Sequence, residues 1–283
     1  MPKILIPTDF SNAALKATEY GTRLAAALNY DIILFHAVGL PMIRGTEDME
    51  LVASTDLERV ENEQLEQIRH ELRKRHPEVI IAVNSTMGFP VEEIRNACEE
   101  NSVDLVVMGT KGAGGIKEIL VGSNTGSLIH ETECPVLAVP EEAVYKNPEH
   151  IVFATNMLRD DAHSLKDVIR LFGKLNPQIT LLHIEDGHRR DAEAVTMDWF
   201  RKEILPSLNY ENVKLEVLSE TDVVKSLHAY LEDNKADMLV TATRKRNLIE
   251  RLFDRSITRK LVFHTHVPLL ALHTHSSKGE ILL

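Results

Sequence analysis

The chain repeats itself at fixed distances, and this duplication limits its fold more than any other feature. Residues 4–8 (ILIPT) are answered by 151–155 (IVFAT), and 32–39 (IILFHAVG) by 179–186 (ITLLHIED), in both cases 147 residues on. Further along, 103–110 (VDLVVMGT) is answered by 236–243 (ADMLVTAT), and 133–139 (ECPVLAV) by 266–272 (HVPLLAL), now 133 residues on. The offsets differ by 14, which places extra residues in the first copy, between its second strand and third helix. A repeat of this length is one α/β unit copied in tandem.

Within the first copy, short apolar runs alternate with helical periodicity. Strands are expected over 3–7, 31–38, 79–84, 103–108 and 135–139, with helices to about 28 and over 47–75, 91–101 and 122–132. The second strand, DIILFHAV, is almost wholly apolar, as a strand covered on both faces must be. Strand–helix alternation implies parallel strands joined by right-handed crossovers. The expected fold is therefore α/β, with two tandem doubly wound, Rossmann-like domains. We set them at residues 1–142 and 148–277, joined by the polar stretch 140–149 with its two prolines. The short last strands, 135–139 and 268–272, are the edges expected to pair with each other across a pseudo-two-fold axis, giving an intrachain pseudo-dimer, with a further homodimer of the chain left open.

Composition excludes several roles. A formal net charge of −11 over 283 residues argues against general binding to nucleic acid or anionic membranes. No apolar run approaches the roughly 20 residues of a membrane span, and the opening MPKILIP reads as a strand rather than a signal peptide. The two cysteines, Cys98 and Cys134, lack metal-type spacing and imply a reducing compartment. A cytoplasmic location is expected.

Chemistry concentrates in GTKGAGGIKEILVGSNTGS (109–127), six glycines placed after a strand and before a helix. In open α/β sheets that carboxyl edge is where ligands bind. Gly109 and Gly112 permit close backbone approach, and Gly122-Ser123-Asn124-Thr125 opens a helix whose free N–H groups suit an anion. Neither a Walker loop nor the dinucleotide fingerprint is present, since Lys117 stands where the latter needs its third glycine. By composition alone a flexible loop fits as well as a phosphate site.

Gly109-x-x-Gly112, nine residues, then Gly122-Ser123 resembles the ATP-binding signature of the universal stress protein family. ILIPTDFS (4–11), LFHAV (34–38), GFPVEEI (88–94) and CPVLAVP (134–140) are similar to other segments of that family, in order, and both copies show the pattern. The resemblance implies five-stranded sheets of order 3-2-1-4-5, with ATP across the carboxyl ends of strands 1 and 4. It places Asp9 by the ribose and phosphates, together with Pro7 and Thr8, and the main chain of Ala37 on the adenine. It makes Gly109, Gly112, Gly122 and Ser123 the residues that hold the phosphates, with Met108, Asn124 and Thr125 also among the nucleotide-binding residues. A Mg2+ ion would accompany the ATP, with Asp9 at most an indirect ligand.

Other readings of these residues stay open. Asp9 or Ser11 would serve as a helix N-cap, and His36, recurring as His183, reads as a packed structural histidine. Lys111 and Lys117 read as ordinary loop lysines. The second copy has lost the loop: Gly109, Gly112 and Gly122 become Ala242, Lys245 and Arg255, and Asp9 becomes Asn156. Its stretch TRKRNLIERLFDRS (243–256) carries seven charges and no glycine, which fits a packing or interaction module better than a second ATP site. His273 and His275 form an H-x-H pair that would share one strand face, a minimal zinc motif without further ligands. The functional expectation is a stress-related protein holding ATP as a regulatory ligand, at most a slow ATPase. The alternative is a nucleotide-independent scaffold.

Overall fold

A computed structural model describes residues 1–39, 47–110, 123–157, 160–185, 197–243 and 267–273, with the side chains of 47–58, 123 and 243 excepted. The chain divides into two compact units, Met1–Tyr145 and Lys146–Leu283.

The first unit runs β1 (Lys3–Pro7), α1 (Asn12–Leu28), β2 (Asp31–Val38), α2 (Glu47–Arg75), β3 (Ile81–Met87), α3 (Pro90–Asn101), β4 (Leu105–Gly109), α4 (Ser123–Glu131) and β5 (Val136–Val139). Its strands lie in the order β3-β2-β1-β4-β5, and every pair is parallel. Strand order therefore reverses at β1, whose two neighbours are β2 and β4. Ile4, Leu5 and Ile6 of β1 and Leu105, Val106 and Val107 of β4 are fully buried, as central strands covered on both faces require.

Helix α1 shows how sequence sets this packing. Ser11 caps it, its hydroxyl accepting from the Ala14 N–H at 3.2 Å. Asn29 closes it in the left-handed conformation, with its N–H on Ala25 and Ala26. Its buried side is made of small residues, Ala13, Ala14, Ala17 and Gly21 among them, so the helix axis comes close to the sheet. A Cβ on Gly21 would stand 2.8 Å from Ile6 Cδ1.

The third strand sits further along the chain than expected. Ile80 only accepts the Ile32 N–H, and the ladder with β2 runs from Ile81 through the polar Asn84–Ser85–Thr86 to Met87. The apolar run marked the approach to an edge strand whose backbone pairs regardless of side-chain polarity.

The second unit contains β6 (His150–Ala154), α5 (Asp161–Phe172), β7 (Gln178–Glu185), a helical stretch over 197–207, β8 (Val213–Ser219), a helix at Val223–Asp233, β9 (Met238–Thr243) and β10 (Leu269–His273). Its order β10-β9-β6-β7-β8 reproduces the first unit's sheet. The 14-residue difference falls between the second strand and third helix, over 39–89 in one copy and 186–222 in the other.

Both copies start their first strand in the same way. Asp104 Oδ2 accepts the Lys3 N–H at 3.0 Å, and 133 residues on, Asp237 Oδ2 accepts the N–H groups of Glu149 and His150, each at 2.8 Å. Asp237 is 7% exposed and also pairs with Lys146. A second tie fixes the edge of this unit: the Tyr230 hydroxyl donates to Glu216 at 2.6 Å, and Lys214 pairs with the same carboxylate. Burial, then the hydrogen bond to Glu216, pushes the Tyr230 hydroxyl well above its usual pKa.

Replacing Asp237 by alanine strands two backbone donors and is expected to cost the chain about 2–4 kcal/mol. Asp237→Asn, which keeps an acceptor oxygen, should lose less. Urea denaturation of the full chain measures both, and equal losses would show that the carboxylate is not capping the strand.

Candidate functional site

The reversal of strand order leaves a crevice at the carboxyl ends of β1 and β4, and four backbone segments converge there. At the first, β1 ends at Pro7 and the chain turns sharply. Thr8 still donates its N–H to Phe35 at 2.9 Å, but its hydroxyl folds forward to accept the Phe10 N–H at 3.1 Å. Phe10 takes a left-handed φ of 61°, uncommon for a bulky side chain. Asp9 is exposed, and its Oδ1 accepts the Ser11 N–H at 3.1 Å. Ser11 therefore caps α1 while Asp9 braces the turn before it.

The second segment is the end of β2. Its alternate residues Ile33 and Phe35 lie opposite Leu5 and Pro7, and Ala37 continues that series one step beyond the end of β1. In a parallel ladder the N–H and C=O of such a residue point toward the same neighbour, so the main chain of Ala37 addresses the space into which Thr8 and Asp9 turn. His36 beside it is buried and, as its repetition suggested, structural. Its Nδ1 lies 2.7 Å from the Thr8 carbonyl, which can only accept, so Nδ1 carries the proton.

The third is the end of β4. The offset that pairs Ile4 with Leu105 and Leu5 with Val106 brings Pro7 level with Met108. Gly109 ends the strand, and the position its Cβ would occupy is taken: it would stand 3.0 Å from the carbonyl carbon and oxygen of Ala13. Close packing of α1 thus accounts for this glycine, a constraint that neither the flexible-loop nor the phosphate-site reading of the sequence contained.

The fourth is the first turn of α4. Thr125, 3% exposed, donates its hydroxyl proton to the Gly109 carbonyl at 2.8 Å. That bond moors the start of the helix to the end of β4. Asn124 is exposed beside it, and Ser123 is the first helical residue. Gly112 and Gly122, with Lys111 and Lys117, lie outside the described residues. Beyond β3 the Gly88 N–H meets the Val38 carbonyl at 3.1 Å, and Phe89 of the GFPVEEI segment is exposed after it.

The second unit repeats the turn without the rest. Thr155 accepts the Met157 N–H at 2.8 Å, Met157 has φ 56°, and His183 Nδ1 lies 3.0 Å from the Thr155 carbonyl. Here the Thr155 hydroxyl donates to buried Asp161 at 2.7 Å, and Asn156 stands in place of Asp9. His273 ends β10 opposite Thr243, while His275 and the basic residues Arg244–Arg255 lie outside the described residues. Among the described residues, no three of His, Cys, Asp and Glu gather as a metal site, and no helix is long and apolar enough to cross a membrane.

Fold and crevice together define a tandem, doubly wound α/β protein whose first unit has a crevice at its strand-order reversal. The model of the universal stress protein family matches residues 1–140 and again 148–273, and the chain belongs to that family. Universal stress protein MJ0577 of Methanocaldococcus jannaschii is 30% identical over 151 residues, 48% of this chain and 93% of the relative. Universal stress protein MJ0531 of the same organism is 30% identical over 142 residues, 48% of this chain and 81% of the relative. A universal stress protein crystal structure from Archaeoglobus fulgidus covers 97% of both chains at TM-score 0.67 and 19% identity, a likeness of fold.

Three substitutions at two positions probe the mooring of this edge. Gly109→Ala should destabilise the chain by about 1–3 kcal/mol, because backbone must yield to the new methyl group. Thr125→Val leaves a buried carbonyl without its donor and should cost about 1–2 kcal/mol, with Thr125→Ser close to wild type. Chemical denaturation reads all three, and a neutral Thr125→Val would discount the bond.

Proposed function

We propose that the first unit holds ATP at the edge between β1 and β4 as a regulatory ligand, and that the second unit is a packing or interaction module without that site. The observation that carries this reading is the convergence of three unlike backbone features on one crevice. These are the Thr8–Asp9 turn, the main chain of Ala37 running past the end of β1, and the start of α4 moored to Gly109. A donor and acceptor pair on Ala37 suits the edge of a purine. The start of a nine-residue helix suits phosphate, through unpaired N–H groups and the helix dipole.

In this reading Asp9, exposed at the turn, lies by the ribose and phosphates with Pro7 and Thr8, and Met108 lies beneath the ligand. Gly112, Gly122, Ser123 and Asn124 meet phosphate through backbone and hydroxyl groups. Thr125 acts differently from the other three residues of its segment: its proton is committed to Gly109, so it positions the helix. Mg2+ bound to the phosphates would neutralise charge that a backbone cradle cannot, and the carboxylate of Asp9 can reach it through water.

Support for a single site per chain comes from the second copy, where Asn156 replaces Asp9 and Lys245 and Arg255 replace glycines. Side chains at those positions would crowd a ligand held by backbone. Among the described residues of the first crevice none is disposed as a Walker lysine or as a base for water, and the reading is retention of ATP rather than rapid turnover.

The test is to purify the full chain, denature it and identify any released nucleotide, then titrate nucleotide-free protein with ATP and Mg2+. Expected outcomes are ATP in the extract and a rise in melting temperature on titration. Gly122→Arg, which copies the second unit, should abolish the rise while leaving the unliganded melting temperature near wild type. Protein that neither carries nor responds to ATP would refute the proposal, and binding unchanged in Gly122→Arg would move the site elsewhere.

A further inference from the structure

We propose that Glu61 of α2 is a positioning residue for the nucleotide-side turn of the first unit, acting through His36. The inference rests on the ATP reading above. His36 Nε2 lies 3.2 Å from Glu61 Oε2, an ion-pair distance, and both atoms are inaccessible to solvent and make no hydrogen bond. The opposite ring nitrogen is committed, because Nδ1 donates to the Thr8 carbonyl at 2.7 Å. The Glu61 carboxylate is thus the polar group that faces the remaining ring nitrogen, and the contact between them is electrostatic. A buried polar pair of this kind is costly to break, since either partner left alone keeps its desolvation penalty.

The surroundings hold this pair in place. Asn62, next to Glu61, accepts the Ser85 hydroxyl at 2.6 Å, which pins α2 to β3. Ser85 lies opposite His36 in the β2–β3 register. Phe10 packs on the imidazole with ring centroids 4.6 Å apart. The imidazole is therefore gripped by the Thr8 carbonyl, the Phe10 ring and the Glu61 carboxylate.

Two of those three contacts belong to the turn that carries Asp9, and the third comes from a helix that has no other part in the crevice. His36 itself is the immediate neighbour of Ala37. With Glu61 in place, the imidazole cannot rotate, the Thr8 carbonyl keeps its donor, and Asp9 and Ala37 are presented in fixed relation before the nucleotide arrives. Without it, binding must supply the ordering, and affinity falls.

The experiment compares full-length wild type, Glu61→Gln and Glu61→Leu by calorimetric titration with ATP and Mg2+, after circular dichroism and melting without nucleotide. A glutamine amide can donate to His36 Nε2, whereas leucine cannot. Glu61→Leu should weaken ATP binding about ten-fold and Glu61→Gln by no more than about two-fold. If the leucine variant does not fold, Glu61→Ala takes its place, with the same ten-fold loss expected. Wild-type affinity in the leucine or alanine variant would overturn the proposal. So would equal losses in the glutamine and apolar variants, because rescue by the hydrogen-bonding substitute is the signature of positioning. Wild-type protein that takes up no ATP would refute the nucleotide reading, and this inference with it, whereas binding insensitive to Glu61 would refute this inference alone.

Discussion

The hydrogen bond from His36 to the Thr8 carbonyl sets where the first strand leaves the sheet, and the site depends on that departure. Thr8 is the last residue of β1 to donate to β2. Its carbonyl goes to an imidazole and its hydroxyl to the Phe10 N–H. The strand cannot extend alongside Ala37, and the chain is thrown into a left-handed residue and then a capped helix. Had β1 run two residues further, the main chain of Ala37 would have been consumed by the ladder and the crevice closed.

The second unit shows which parts of this arrangement belong to the fold and which belong to the site. It keeps the histidine bond, the threonine turn, the left-handed residue and the carboxylate that caps the first strand, all at matching offsets. These features serve folding, because they persist where the glycines and the aspartate of the crevice do not. Asp161 makes the same point. It takes the Thr155 hydroxyl inside the second unit, so the carboxylate there is turned inward and buried, whereas Asp9 stands outside. Asn156, in the place of Asp9, is exposed as Asp9 is, so the two turns differ in chemistry rather than in exposure: an amide replaces the carboxylate, and the Thr155 hydroxyl also donates to the following helix.

Much of this was legible in the chain itself. The bounds of β1, β2 and α2 follow from apolar runs and helical periodicity, because those elements are buried or amphipathic in the ordinary way. The third strand slid along the chain because an edge strand's backbone ladder continues through Asn84, Ser85 and Thr86 without apolar side chains to mark it. Candidate site residues on β1, β2, β4 and α4 were visible from motif spacing. What spacing could not convey was direction. It does not say that the proton of Thr125 goes to Gly109, that Ser11 rather than Asp9 caps α1, or that Glu61, 25 residues from His36 along the chain, meets the imidazole.

Gly109 shows how a fold constraint and a ligand constraint come to share one residue. Its missing side chain lets the first turn of α1 lie against the end of β4, with Ala13 backbone atoms 3.0 Å from where a Cβ would be. That approach brings the start of α1, and so the Asp9 turn, beside the end of β4. Its carbonyl meanwhile takes the Thr125 hydroxyl and draws in the start of α4. One residue thus ties the starts of two helices to a single strand end. Ala242 occupies the matching place in the second unit, so the glycine is not demanded by the topology alone. Its presence in the first unit accords with a crevice in which the spacing between α1 and α4 matters, and hence with a ligand that spans them.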